Sequence, residues 1–341
     1  MTNHEAGLRA LLKRRPKRPD TQRKEADMNK HKLVLLGGLP GELRISATVL
    51  HEAVGALIEG ARLATRFAVE GESVRKGPRP AWLDAACDFD VTALTPGSAV
   101  ITMEADTLKQ VDPARFGVGA QQSLFGEADE HFGEQTAIDI FGRVLATILE
   151  GEADDVVADR PLLESCARFA RVSGRGLDGL RLEGLRGRSS PLVITPRDAP
   201  HIELLRDEIP RPQAARVAGT LDTVSASRPD VVLTLKDGTR VPGRMEEHNL
   251  EALRSVLGKE VVVSGMAHYR PSGRLLLLDV EALDVARPED RVFQKAPVAR
   301  KQKVVWEPTG PSDASGVSAF FGTWPGEDSD SELLEALRAI G

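Results

Sequence analysis

The stretch AARVAGTLDTVSASRPDVVLTLKDGTRVPGRMEEHNLEALRSVLGKEVVVSGMAHYRPSGRLLLLDVEALDVA, residues 214–286, carries the strongest structural signal in the chain. Ala215–Ser225 reads as a long strand with Gly219 in its middle. A residue without a Cβ allows the sharp coiling that a small barrel needs. Val231–Lys236 reads as a second strand, and Asp237-Gly238 is a favoured two-residue hairpin turn into a third, Thr239–Met245. Asn249–Leu257 reads as a short helix with Leu250, Leu253 and Leu257 on one side, ended by Gly258. Val261–Tyr269 is the fourth strand, Arg270-Pro271-Ser272-Gly273 a turn, and Leu275–Leu283 the fifth strand.

The order β-β-β-α-β-β resembles that of an OB-type five-stranded barrel. An SH3-like barrel, the alternative, does not normally place a three-turn helix at that point. OB barrels commonly bind single strands across strands two and three and the adjoining loops. That reading makes Lys236, Arg240, Arg244, His268, Tyr269 and Arg270 the candidate nucleic-acid contacts. The set is basic, but only His268 and Tyr269 offer rings for stacking. The missing aromatic platform favours a structural or protein-docking barrel.

The totals point the same way. Aromatic residues make up only 4% of the chain, which argues against ligands held by stacking. The formal net charge of −6 has the wrong sign for a dedicated duplex-DNA binder. Two cysteines, Cys87 and Cys166, supply neither a disulfide framework nor a zinc site, and Cys166 reads as a core residue of a helix. No run of apolar residues is long enough to span a bilayer, and the N-terminus lacks the apolar segment of a secretory signal. The expectation is a soluble cytoplasmic protein of bacterial type.

Residues 1–31 form a Lys/Arg-rich leader, read as disordered, with Met28 as a second plausible start. Residues 32–208 mix strands and helices without regular alternation, which predicts an α+β domain. Within it, Leu33–Leu36 is a short strand, and Ser46 opens a long helix with Leu50, Val54, Leu57, Ile58, Ala61 and Thr65 on one face. Cys87, Phe89, Val91 and Ala93 alternate with polar residues as a half-buried strand, and Ala99–Ala105 returns beside it. Further helices are expected at 135–150, after Asp159-Arg160-Pro161 and after Thr195, with short strands at 178–183 and 191–195. Pro210-Arg211-Pro212 reads as an extended connector.

Catalytic patterns do not emerge. Gly174-Arg175-Gly176-Leu177-Asp178-Gly179 has the letters of a dinucleotide fingerprint, but a helix precedes it and a strand follows, the reverse of what phosphate binding needs. Gly37–Gly41 follows a strand yet lacks the Lys-Ser/Thr of a P-loop. The seven histidines show no metal-ligand spacing. Asp154, Asp155 and Asp159 read as a solvated loop and helix cap. The expectation is a protein without cofactor, metal or catalytic residues.

Residues 287–318 read as a flexible linker rich in Pro, Ser, Lys and Gly. In the last segment, 319–341, Phe320, Phe321 and Trp324 precede a capping box at Ser329/Glu332 and an apolar stripe of Leu333, Leu334, Leu337 and Ile340. This aromatic and helical tail is the best partner-protein anchor in the chain. Phe320–Asp330 resembles a short tail of small uncharacterised bacterial proteins, some encoded beside toxin–antitoxin genes, and residues 42–286 resemble a bacterial family of unassigned function. The resemblance implies a bacterial origin and no particular activity. The sequence as a whole reads as a non-catalytic adaptor that docks a partner protein. A single-strand nucleic-acid binder and an antitoxin-like regulator are the alternatives.

Overall fold

The computed structural model describes residues 29–37, 45–95, 99–117, 131–224, 230–245 and 250–299. The aromatic tail, the linker beyond 299 and the leader up to residue 28 lie outside the described residues.

The first lobe is built on a five-stranded sheet of order β2-β3-β1-β4-β5. Its strands are β1 (Lys30–Leu36), β2 (Asp90–Thr95), β3 (Ala99–Glu104), β4 (Gly179–Glu183) and β5 (Leu192–Ile194), and every pairing is antiparallel. β1 begins inside the segment expected to be a leader. Its alternation places His31, Leu33 and Leu35 inward beside Ile101 and Met103 of β3 and Leu180 and Leu182 of β4. Helices α1 (Ala47–Glu70), α2 (Ala81–Ala86), α3 (Leu108–Val111), α4 (Pro113–Phe116), α5 (Ala137–Glu150), α6 (Arg160–Ser173) and α7 (Asp198–Glu208) complete the lobe.

Helix α1 follows Ser46 without a side-chain cap, whereas α5 and α6 begin on capping side chains. The Thr136 hydroxyl accepts from Asp139 N at 3.1 Å while Asp139 accepts from Thr136 N at 2.9 Å, a reciprocal cap for α5. Asp159 caps α6 by accepting from Leu162 N at 3.0 Å. Of the expected face of α1, Leu57, Ala61 and Thr65 are buried while Leu50, Val54 and Ile58 are only partly covered, and Ala53, Gly60, Ala64 and Phe67 widen the buried stripe. Small residues there let α5 approach until a Cβ on Gly60 would collide with the Phe141 ring.

The alternation at Cys87–Ala93 does not make the expected strand. Cys87 ends α2, β2 starts only at Asp90, and Val91 is 52% exposed. β2 is a sheet edge with an irregularity between Val91 and Ala93, so alternation there does not translate into burial.

The second lobe is a closed five-stranded barrel. It comprises β6 (Gln213–Val224), β7 (Asp230–Thr234), β8 (Arg240–Met245), β9 (Glu260–Tyr269) and β10 (Leu275–Val285), with α8 (Leu250–Val256) between its third and fourth strands. The order around the barrel is β10-β8-β7-β6-β9, closed by antiparallel β9–β10 pairing, and β8 runs parallel to β10. Val217, Leu221, Leu233, Val241, Val263 and Leu278 fill the interior. A Cβ on Gly219 would stand 2.9 Å from the Thr234 carbonyl, so that position admits no side chain without a shift.

Residues 287–299, expected to begin a flexible linker, are structured. Pro288–Phe293 forms a 3-10 helix, and the Arg216 guanidinium of β6 sits over the Phe293 ring at 4.9 Å. Ala299 packs into the barrel core, its amide donating to the Gly273 carbonyl at 2.9 Å. The lack of periodicity suggested a linker, but one aromatic ring and a cation provide the anchor.

All described residues belong to one compact unit of chain. Leu276 and Leu277 of β10 are buried within the core of the helical lobe. The lobes therefore share apolar packing across the Pro210-Arg211-Pro212 connector.

Two glycines of α1 test this packing. Gly60→Ala forces the Phe141 ring to move and should destabilise by about 1–3 kcal/mol. Gly55 is exposed with no atom within 4 Å of an added Cβ, so Gly55→Ala should stabilise by up to about 1 kcal/mol. Urea unfolding of both variants reads the two signs.

Candidate functional site

The face where the lobes meet holds an ionic chain. Arg244 of β8 points one guanidinium nitrogen at Glu72, just beyond α1, at 3.0 Å, and another at Asp279 of β10 at 2.6 Å. His268 of β9 contacts the second Asp279 oxygen through Nε2 at 2.8 Å. Burial pushes the Asp279 carboxyl up, but the His268 hydrogen bond and the Arg244 charge outweigh it and hold it below the usual carboxylate range. Below this chain, Arg270 donates to the Asp154 carbonyl at 2.7 Å and Arg274 pairs with the Asp154 carboxylate at 3.2 Å.

Beside the network lies a cleft of about 520 Å³. One wall is the end of α1 and the start of α6, another the connector Ile209–Pro212, and the third the barrel, through Arg244, His268, Tyr269, Leu276 and Leu277. Asp159, at the rim, is fully used: Ser73 donates through N and Oγ, and Leu162 through N.

The residues expected to touch nucleic acid thus fall into two groups. Lys236 and Arg240 are exposed at the β7–β8 hairpin, Arg240 lying 3.9 Å from Asp222. Arg244, His268 and Arg270 face the helical lobe and are bonded to its acids, carbonyls or their own barrel. Tyr269 is only 3% exposed inside the barrel core and offers no ring to stack, a correction to the sequence reading. The partner-binding residues Phe320, Phe321, Trp324, Leu333, Leu334 and Leu337 lie outside the described residues.

Sequence reasoning missed a second polar cluster, buried in the helical lobe. His31 Nε2 lies 2.9 Å from the Thr136 hydroxyl, and Nδ1 lies 3.9 Å from Asp139. The residue types are those of a nucleophile, base and acid, but all three are buried. The Thr136 hydroxyl already accepts from Asp139 N and donates to Asp139 Oδ2 at 3.0 Å. That hydroxyl has one proton, and both Asp139 Oδ2 and His31 Nε2 stand within its reach. Asp139 Oδ1 accepts from Arg186 N at 2.8 Å. The cluster ties β1, α5 and the loop after β4 together. Asp139 and Arg186 border a cleft of about 500 Å³, while His31 and Thr136 are fully buried. Burial lowers the His31 pKa, although Asp139 and the Gly184 carbonyl pull it upward. A spacing of 105 residues between His31 and Thr136 hid the pairing from any local motif.

The buried cysteines are inert for a related reason: desolvation pushes the Cys87 thiol up to about 12 and Cys166 higher still. Comparison with known proteins finds no matching family model, no matching curated protein and no matching solved structure. Among the described residues no helix is long and apolar enough to cross a membrane.

Two outcomes follow from these contacts. Arg244→Ala leaves Glu72 and Asp279 facing the inter-lobe face without their shared cation and should cost about 2–4 kcal/mol by urea unfolding. His31 is held neutral in the fold and takes a proton more readily unfolded, so the unfolded state binds more protons below the ordinary imidazole value. Its contribution is complete above that value and is lost as pH falls toward the depressed folded one. Between about pH 7.5 and about pH 5.5, His31→Leu should show a smaller loss of stability than wild type, the difference in slope reaching at most about 1.4 kcal/mol per pH unit.

Proposed function

We propose that this chain is a non-catalytic binding protein that docks a partner protein, in part through Phe320, Phe321, Trp324 and the helix carrying Leu333, Leu334 and Leu337. The observation that carries the reading is the internal use of the barrel. Arg244, His268, Arg270 and Tyr269 are turned to the helical lobe or the barrel core, where they hold the structure together. A barrel whose basic face is committed in this way is an architectural part.

The strand order, with third parallel to fifth and a helix before the fourth, supports the OB-type reading of the barrel. The buried His31–Thr136–Asp139 cluster supports a non-catalytic role, because its nucleophile-type hydroxyl is fully engaged. The aromatic tail supports a partner anchored by an amphipathic helix.

Fluorescence anisotropy of labelled single-stranded DNA and RNA, titrated with the full chain at low and moderate salt, tests the choice between ligand classes. The adaptor reading expects weak binding that Arg240→Ala leaves unchanged. Tight, salt-dependent binding that falls with Lys236→Ala and Arg240→Ala makes the barrel a nucleic-acid module and overturns it. Deletion of residues 317–341 should abolish a stoichiometric complex isolated from the native host while the thermal unfolding of the remainder is unchanged.

A further inference from the structure

We propose that the cleft between the lobes binds a small phosphorylated molecule with a flat apolar part, of the size of a nucleoside monophosphate. This goes beyond the partner-protein reading and does not depend on it. The cleft, at about 520 Å³, lies within the usual range for small-molecule sites. A single nucleotide fits such a volume.

The lining divides by chemistry. Ile209, Pro210, Pro212, Leu276 and Leu277 form the apolar side, and the two prolines present no amide donors to it. Arg211 stands between the two prolines on the connector, and Arg160 reaches the same segment from the start of α6. The difference between spent and unspent charge carries the inference. Of the acids, Asp159 already takes three donors and Glu72 already pairs with Arg244 at 3.0 Å and with Arg75 at 3.5 Å. Arg244 and His268 are spent on Asp279. Arg160 gives one nitrogen to the Ile209 carbonyl at 3.3 Å. Arg211 is exposed and makes no hydrogen bond or ion pair among the described residues. Arg211 and the rest of the Arg160 guanidinium are therefore left as donors with no acid hydrogen-bonded to them among the described residues, with the Asp159 carboxylate, taken up by neutral donors, in the same lining. A guanidinium presents its donors as a planar fork that matches the oxygens of phosphate, so this surplus selects a phosphorylated ligand. The apolar wall selects one that also carries a ring system and disfavours inorganic phosphate alone.

Because its walls come from both lobes and the connector, a bound ligand would be held by the assembled unit and not by either lobe alone. Ligand that binds only this state raises the unfolding temperature by mass action.

Isothermal titration of the full chain with adenosine 5′-monophosphate, adenosine and inorganic phosphate, each also followed by thermal unfolding, tests the site. The nucleotide should bind and raise the unfolding temperature, and adenosine and phosphate should each bind at least about tenfold more weakly. Arg211→Ala should melt like wild type without ligand, since the side chain is exposed, and should weaken nucleotide binding at least about tenfold. Arg160→Ala should weaken it further. No heat and no thermal shift with millimolar nucleotide overturns the proposal. So does nucleotide binding that Arg211→Ala leaves intact, or phosphate binding as tight as the nucleotide's. A short single-stranded oligonucleotide that binds more tightly than the monophosphate, and loses this with Arg211→Ala, would assign the cleft to a strand end and would also count against the proposal.

Discussion

One guanidinium, that of Arg244, sits at the point on which both lobes converge. It is 16% exposed and lies between Glu72 of the helical lobe and Asp279 of the barrel. An arginine in that setting keeps its charge and holds both Glu72 and Asp279 in place. His268 closes the chain on the far side of Asp279. Leu276 and Leu277 follow on the same strand as Asp279 and carry apolar contact into the helical core. Ionic geometry sets the orientation of the lobes, and burial of the leucine pair supplies the driving force.

This arrangement limits what the barrel can do. A small barrel that binds single strands needs its basic and ring side chains presented to solvent. Here most of the candidates are consumed by the fold, and the ones left outward, Lys236 and Arg240, stand on a hairpin without a neighbouring ring platform. The helical lobe likewise spends its most reactive-looking residues on structure. His31, Thr136 and Asp139 close a buried knot between β1 and the first turn of α5, and both thiols are buried and protonated. Beside an apolar wall, Arg211 is left without a partner among the described residues and Arg160 gives one nitrogen to the Ile209 carbonyl.

The barrel was legible because its signals are local. Asp237-Gly238 gives the hairpin, Gly258 ends the helix with φ of 75°, and alternation runs through β9. The helix cap at Asp159 was legible for the same reason. The candidate site was not. Alternation separates residues pointing into the barrel from those pointing out, but it cannot say which outward residues another lobe then covers. Arg244 and Arg240 lie on one strand at the same parity, yet one is bonded across the lobe interface and the other faces solvent. His31 and Thr136 meet only through tertiary folding. At Val91 alternation did not report burial, since residues 91–93 of the edge strand β2 are all exposed.

The central claim is that the barrel is a fixed structural part of one cooperative unit, locked through Arg244 and the leucine pair. Hydrogen exchange of the full chain, followed peptide by peptide across a urea series, tests it most directly. The account predicts that amides of β9 and β10 and those of α1 and α6 lose protection at the same urea concentration, and that Arg244→Ala separates them. Loss of protection in the barrel well before the helices in the unaltered chain would contradict it, because the barrel would then be an independent module whose basic face is free to bind.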